Sequence, residues 1–305
     1  MRRANFDTFF SGVARRHLVR AIRDALTEDG PDLTSNAVFG EGDALSARIV
    51  SKQDAVVAGL PLLSLVLEET AALEPGAWTQ TAHVEEGSLA ANGSLLASID
   101  GSARIILRAE RVILNFLCHL SGIATLTRRY ADILEGTGVR LLDTRKTLPG
   151  LRYPEKYAVL VGGGSNHRLN LSEMLMLKDN HIDAAGGILP AVERLRLAYD
   201  PAPPIEVECR TLDEAREAVA CDVRRIMLDN MSREVMQQAL LLVPPGVEVE
   251  ISGGVDLAGV AALTSGWQGR KPDYVSVGRL THSAPAADFS MRIGPREPGP
   301  APNAP

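Results

Sequence analysis

Six short apolar runs, each closing on a polar or glycine cluster, set the narrowest limit on how this chain folds: VRLLDTRK, EMLMLKDN, IEVECR, RIMLDN, VEVEISGG and YVSVGR. They end near Asp143, Lys178, Glu208, Asp229, Ser252 and Gly278, roughly 20 to 35 residues apart, with helical segments between them. Strand, helix and strand in that rhythm make a β-α unit, and successive units build a parallel barrel or a doubly wound sheet. In either fold ligands bind beyond the carboxyl ends of the strands, where loops from several strands converge. Six polar strand ends therefore predict one shared pocket.

The first ~115 residues follow another pattern. A helical segment (Ala14 to Leu26), the alternating piece SARIVSK (Ser46 to Lys52) and glycine turns at Glu86-Gly87 and Asn92-Gly93 predict a small α+β layer. From Arg104 the stretch RIILRAERVILNFLCHLSGIATLTRRYADIL spaces apolar residues by three and four, as a helix with one buried face does, and Gly122 is expected to interrupt it. We expect two domains, 1–115 and 116–290, and a disordered tail at 291–305 where Pro and Gly dominate; part of the C-terminal segment is expected to pack with the first domain.

The charge distribution narrows the ligand. The formal net charge of the 305 residues is -6, which opposes any general affinity for nucleic acid or an anionic membrane. Yet LLDTRKTLPGLRYPEKYAVLVGGGSNHR, residues 141–168, holds five Lys/Arg and His167 against two acids. An anion must be met locally. Three cysteines, Cys118, Cys209 and Cys221, show no C-x-x-C spacing, so neither a disulfide framework nor a thiolate zinc site is indicated. With no run near the ~18 apolar residues of a membrane span, a cytoplasmic location is expected.

At the strand ends the side chains fall into two chemical groups. Arg145, Lys146, His167, Arg168 and Lys178 are cations; a lone Lys or Arg is usually a solvated surface charge, but clustering argues for anion binding. Glu208 and Asp229 end consecutive strands, either to neutralise a neighbouring lysine or, beside phosphates, to hold Mg²⁺ or orient sugar hydroxyls. Ser252-Gly253-Gly254 after one strand and Gly278 at the end of the next offer freed backbone N–H groups, an anion site recurrent in the last units of barrels. P-loop, G-x-G-x-x-G, H-E-x-x-H and G-x-S-x-G signatures are all missing. His119, His181 and His282 are equally well read as structural. Arg111, taken alone, reads as an exposed or domain-bridging arginine.

DTRKTLPGLRYPEKYAVLVGGGSNHR, KDNHI, VEC, MLDN, ISGG and SVGRLTHS, with EDGPDLTS and RAERVILNFLCHLSGIATLT upstream, closely resemble the quinolinate phosphoribosyltransferase family over nearly the whole chain. The resemblance implies an N-terminal α/β sandwich and an incomplete six-to-seven-stranded α/β barrel. It also implies transfer of phosphoribosyl from phosphoribosyl pyrophosphate to quinolinate with decarboxylation, assisted by Mg²⁺. A homodimer, or an assembly up to a hexamer of dimers, is implied too, with Arg111 completing the neighbour's site. Arg145, His167, Arg168 and Lys178 match the quinolinate-binding cations, and Thr144 belongs to the same site. Lys146 matches a catalytic residue between quinolinate and donor. Glu208 and Asp229 match catalytic carboxylates facing ribose and metal, and Ser252, Gly253, Gly254, Val277, Gly278 and Arg279 match the 5-phosphate region. Arg279 is a departure: the family usually carries a small residue there.

Other readings are weaker. A paralogue with another acceptor, such as the homologue encoded near molybdate transporters or a nicotinate-specific transferase, leaves the two cationic pairs Arg145-Lys146 and His167-Arg168 unexplained. A non-catalytic phosphoribosyl-binding barrel gains nothing from Glu208 and Asp229. Nucleic-acid binding lacks interleaved aromatic platforms.

Overall fold

The computed structural model describes residues 5–263 and 265–295. It divides into two compact units, one formed by 1–126, 148–163 and 283–305, the other by 127–147 and 164–282. The division falls inside a helix, not at the expected 115/116 boundary, and residues 148–163 join the first unit.

Twelve strands are found among the described residues. The first five are β1 (Ala44–Ser51), β2 (Ala55–Val56), β3 (Trp78–Ala82), β4 (Leu89–Ala90) and β5 (Leu95–Ser102). Six follow in the second unit: β6 (Arg140–Leu142), β7 (Leu175–Leu177), β8 (Ile205–Cys209), β9 (Arg225–Asp229), β10 (Glu248–Ser252) and β11 (Tyr274–Ser276). The last, β12 (Phe289–Pro295), returns to the first unit.

In the first unit β12-β1-β5-β3 form an antiparallel sheet, and β2 pairs with β4. The pairing of β12 with β1 runs from Ser51↔Phe289 to Leu45↔Pro295. The expected disordered tail is therefore a strand as far as Pro295, because an edge of β1 was open to satisfy its backbone groups; 296–305 lie outside the described residues. The Gly12–Asp29 helix buries Ala14, Leu18, Ile22 and Leu26 along one face. Full burial of an aliphatic side chain stabilises by about 1.5–3 kcal/mol, so this stripe fixes the helix more firmly than its polar face does.

Gly122 does not break the long helix, which runs unbroken from Ala103 to Leu134. A Cβ at 122 would stand 2.1 Å from the Pro285 carbonyl oxygen and 3.0 Å from Ala286 Cα. The glycine is there for close backbone approach, which costs the helix only ~1 kcal/mol of propensity. Nearby, Ala287 N–H donates to the Cys118 carbonyl at 2.8 Å.

In the second unit all six strands are parallel, in the order β6-β11-β10-β9-β8-β7, and Ser165 adds an isolated parallel bridge beside Leu142. The strand rhythm predicts such a parallel sheet, and its six strands agree with the incomplete α/β barrel that the resemblance implies. Alternation sorts its side chains. Ile205, Val207, Cys209, Ile226, Leu228 and Val249 face a core that includes Ile188, Val192, Ala215, Ala218, Ala239 and Leu240 from the helices. Alternate positions carry Glu206, Glu208, Arg225, Met227, Asp229, Glu248, Glu250 and Ser252 on the opposite face.

Candidate active site

The polar face of the barrel sheet is layered. At the amino ends of the strands the Tyr274 ring lies between two guanidiniums, Arg140 and Arg225, each Cζ 4.2 Å from its centroid. Arg140 also hydrogen-bonds the Tyr274 hydroxyl, and Tyr274 Oη donates to Glu248 Oε1 at 3.1 Å. One layer further on, Arg225 Nη1 stands 3.3 Å from Glu250 Oε2 and 3.9 Å from Glu206 Oε2. Both carboxyls are fully buried. Burial pushes each up to about 7; the Glu206 charge raises Glu250 further, and Arg225 opposes both shifts.

Beyond this layer, at the carboxyl ends of the strands, a cavity of about 430 Å³ opens. Its walls include Thr144, Arg145, Lys146, His167, Arg168, Lys178, Glu208, Asp229, Ser252, Gly253 and Gly254. Eleven of the residues expected at the site are thus brought together from six separate strand ends and loops.

The two cationic pairs are fixed by one carboxylate. Asp143, wholly buried at the end of β6, accepts the His167 backbone N–H at 2.8 Å and the Asn166 side-chain amide at 2.7 Å, and its own N–H donates to Ser165 O at 3.1 Å. The acid that ends LLD therefore ties the TRK loop to the NHR loop. Arg168 is anchored through Nη1 to the Met174 carbonyl at 3.0 Å. Burial, and then the like charge of Arg145, push Arg168 below its ordinary value. Two guanidiniums that repel each other make a setting in which an anion between them is favoured.

On the opposite wall Lys178 Nζ donates to Glu208 Oε2 at 3.1 Å, so one pocket cation is already partnered. Asn230 Nδ2 donates to Asp229 Oδ2 at 2.7 Å, and Asn230 N–H donates to Ser252 O at 3.0 Å. The phosphate-loop candidate is thereby locked to the end of β9. Gly253 takes φ +108, and a Cβ there would meet Asn230 Oδ1 at 2.2 Å, so only glycine fits.

Four expected residues do not line the cavity. Val277 is buried and Gly278 lies beside the lysine: a Cβ at 278 would stand 3.0 Å from Lys146 Cδ and 3.4 Å from Thr144 Oγ1. Arg279 is exposed, with its side chain engaged by Tyr130. The departure at Arg279 thus lies outside the cavity lining. Arg111 belongs to the other unit, where it borders a cavity of about 370 Å³ with Asp29–Thr34, Leu107 and Arg108. His119 serves a structural contact, Nε2 2.8 Å from the buried Glu155. His181 Nδ1 accepts the Lys178 N–H at 3.1 Å and caps the Asp179–Ala185 helix.

Among the described residues one group places three metal-donor atoms close together: His167, Glu206 and Glu250, all buried. Glu208 and Asp229 are not part of it. Two strand-end carboxylates facing a cavity suit Mg²⁺, which keeps several waters and is commonly held by one or two carboxylates plus substrate phosphates.

Residues 32–121 match the family described as quinolinate phosphoribosyl transferase, N-terminal domain, and residues 123–292 match its C-terminal domain. The chain belongs to the quinolinate phosphoribosyltransferase family. It is 39% identical over 262 residues to the probable nicotinate-nucleotide pyrophosphorylase [carboxylating] of Bacillus subtilis, covering 86% of this chain and 88% of that protein. It is 38% identical over 278 residues to the nicotinate-nucleotide pyrophosphorylase [carboxylating] of Mycobacterium leprae, covering 89% and 95%. The crystal structure of NadC from Streptococcus pyogenes superposes with a TM-score of 0.85 at 39% identity, covering 94% of this chain and all of that one.

Within this quinolinate phosphoribosyltransferase fold, Met176, Met227, Asn230, Glu250 and Ser276 also line the cavity and were not singled out from the sequence. Their signal was the strand alternation. In IEVEC and VEVEIS the acids recur at every second residue of strands whose other face is Val or Ile, which places Glu206 with Glu208 and Glu250 with Ser252 on the cavity side.

Proposed function

We propose that this chain transfers the phosphoribosyl group of phosphoribosyl pyrophosphate to the ring nitrogen of quinolinate, with loss of CO₂, giving nicotinate mononucleotide and pyrophosphate for NAD biosynthesis. The observation that carries this reading is the cavity itself: four Lys/Arg residues, Arg145, Lys146, Arg168 and Lys178, face Glu208 and Asp229 beside a glycine loop. Quinolinate brings two adjacent carboxylates and the donor a phosphate and a pyrophosphate. A single pair of charges ~4 Å apart is worth ~4 kcal/mol at an effective dielectric of about 20, so grouping these anions requires matched cations.

Arg145 and Arg168 suit the quinolinate carboxylates, since a guanidinium fork meets a carboxylate bidentately. Lys146, a point charge pressed against Gly278, sits between acceptor and donor. Glu208 and Asp229 accept hydrogen bonds from the ribose hydroxyls and orient the anomeric carbon. The N–C bond forms as the C–O bond to pyrophosphate breaks, and the bonding pair leaves with pyrophosphate. Glu208 and Asp229 would hold Mg²⁺, which when bound offsets charge on the pyrophosphate. The alkylated nitrogen is cationic, so the C–C bond to the 2-carboxylate breaks with its electron pair left beside that positive centre, and one solvent proton completes the ring. Fixed cations aimed at the departing charge supply the main stabilisation.

The same reading makes the working enzyme a cytoplasmic homodimer, or an assembly of such dimers, in which Arg111 completes the neighbour's site. The three free cysteines fit a reducing compartment. Among the described residues no helix is long and apolar enough to cross a membrane. The test is steady-state turnover of purified protein with phosphoribosyl pyrophosphate, quinolinate and Mg²⁺, following mononucleotide. Protein that is folded and binds both substrates but forms no mononucleotide would refute the assignment.

A further inference from the structure

β6 and β11 pair side by side in the barrel sheet although their registered residues, Arg140 and Tyr274, are 134 positions apart in sequence. The segments leaving their carboxyl ends therefore meet. One carries Lys146; the other passes through Gly278 into the short Arg279–His282 helix. Lys146 is held there at three points. Its backbone N–H donates to Thr144 Oγ1 at 3.0 Å. Its side-chain stem runs so close to Gly278 that a Cβ at 278 would stand 3.0 Å from Lys146 Cδ. Its carbonyl accepts the Thr281 hydroxyl at 2.7 Å.

Thr281 is only 2% exposed, and a buried hydroxyl has to place its one proton. A threonine in a helix ordinarily returns that proton to a carbonyl three or four residues back, and Gly278 O lies within reach at 3.0 Å. That bond alone would make Thr281 a structural residue and nothing more. The Gly278 carbonyl, however, already accepts the Thr281 backbone N–H at 3.2 Å, and the Lys146 carbonyl is nearer. The proton goes to Lys146, across 135 residues of sequence.

We propose, resting on the function assigned above, that Thr281 is a positioning residue for the transfer step: its hydroxyl fixes the Lys146 main chain so that the ammonium stands between acceptor and donor. A lysine needs such a hold more than an arginine does. Its ammonium is a point charge on a flexible four-carbon stem, so its place is set by where the main chain and the first methylenes are fixed. Misplacing a group by about 1 Å in a reacting site costs up to about 100-fold in rate. Thr281 does not line the cavity, so it acts only through Lys146. The turn that carries it is anchored in its own right, by the Arg279 side chain hydrogen-bonded to Tyr130.

Three substitutions and two measurements test this. Thr281→Val keeps the branched shape but puts a methyl where the donor was, 2.7 Å from the Lys146 carbonyl. Thr281→Ala removes the donor without that overlap, and Thr281→Ser keeps it. Hydrogen exchange of the full-length protein without substrate, read by mass spectrometry, should show the Lys146 and Thr147 amides exchanging about tenfold faster in Val and Ala, the loss of one hydrogen bond, with β9 unchanged and Ser like wild type. In steady state Val and Ala should lower kcat at least tenfold while both KM values stay within about threefold, and Ser should keep kcat within about threefold of wild type. A residue that only packed would make Ala and Ser lose alike and would leave the kcat of the folded protein untouched. Unchanged exchange at residues 146 and 147, a smaller drop in kcat for Ala, or a Ser variant as impaired as Ala would each overturn the proposal. Wild-type protein that forms no mononucleotide would refute the assigned reaction, and the exchange measurement, made without turnover, would still decide whether Thr281 holds Lys146.

Discussion

Gly253→Ala separates the phosphate loop from the rest of the site. The alanine Cβ would stand 2.2 Å from Asn230 Oδ1, 2.6 Å from its Cγ and 2.8 Å from its backbone nitrogen, at φ +108. Holding a non-glycine residue in such a conformation costs about 1–3 kcal/mol, and relieving overlap with a packed neighbour costs about 1–3 kcal/mol more. Asn230 cannot retreat freely, because its N–H is committed to Ser252 O and its Nδ2 to Asp229. The displacement therefore passes to Asp229 and to the loop N–H groups. If ~2 kcal/mol of the total is felt in donor binding, the KM for phosphoribosyl pyrophosphate rises about 30-fold. The quinolinate KM should change little, since Arg168 is held by the Met174 carbonyl and its loop by Asp143, both away from Gly253. The assay is initial rate of mononucleotide formation with each substrate varied in turn, alongside a melting curve. Folded protein with a wild-type donor KM would refute the placement of the donor phosphate at this loop.

Three further outcomes are expected. Arg111→Ala should abolish turnover while leaving the melting temperature near wild type, and mixing it with inactive Lys146→Ala should restore part of the activity through hybrid dimers; no rescue after confirmed subunit exchange would refute a shared site. Glu206 and Glu250 hold a proton up to about pH 7 in the folded state, against 4.5 for an ordinary glutamate, so the stability they add is fully present below about pH 4.5 and is lost as pH rises through 7. Unfolding free energies from urea titrations should fall between pH 5 and 8, by on the order of 3 kcal/mol per group at most, and a Glu206→Gln/Glu250→Gln variant should flatten that slope. Gly122→Ala should destabilise the first unit by more than about 2 kcal/mol, because its methyl would overlap the Pro285 carbonyl; calorimetry showing no loss would contradict the close approach.

The barrel was legible because its signal is repeated. Each strand closes on a polar cluster, and six repeats leave few alternatives to a parallel sheet with one mouth. Arg145, Lys146, Arg168, Lys178, Glu208 and Asp229 were legible for the same reason, as charged residues at those endings. What escaped lies deeper. Glu206, Glu250 and Arg225 sit two or more residues before the strand ends, where charge reads as anomalous unless the period of two is carried back into the barrel. Asp143 was read only as an acid diluting a basic stretch, and its bonds to the NHR loop depend on a contact across 23 residues that no local pattern encodes. Gly122 was misread because a glycine within a helix signals a break locally, while the chain that approaches it, at 285–286, is remote in sequence. Local propensity gives way to tertiary contact at such positions.

The central claim is that one cavity both joins ribose to the acceptor and releases its 2-carboxylate. Purified protein should be given phosphoribosyl pyrophosphate, Mg²⁺ and quinolinate isotopically labelled at the 2-carboxylate, with nicotinate in a parallel reaction. The account predicts one labelled CO₂ for each nicotinate mononucleotide formed, and no appreciable mononucleotide from nicotinate. Turnover of nicotinate but not of quinolinate, or mononucleotide that retains the label, would contradict it.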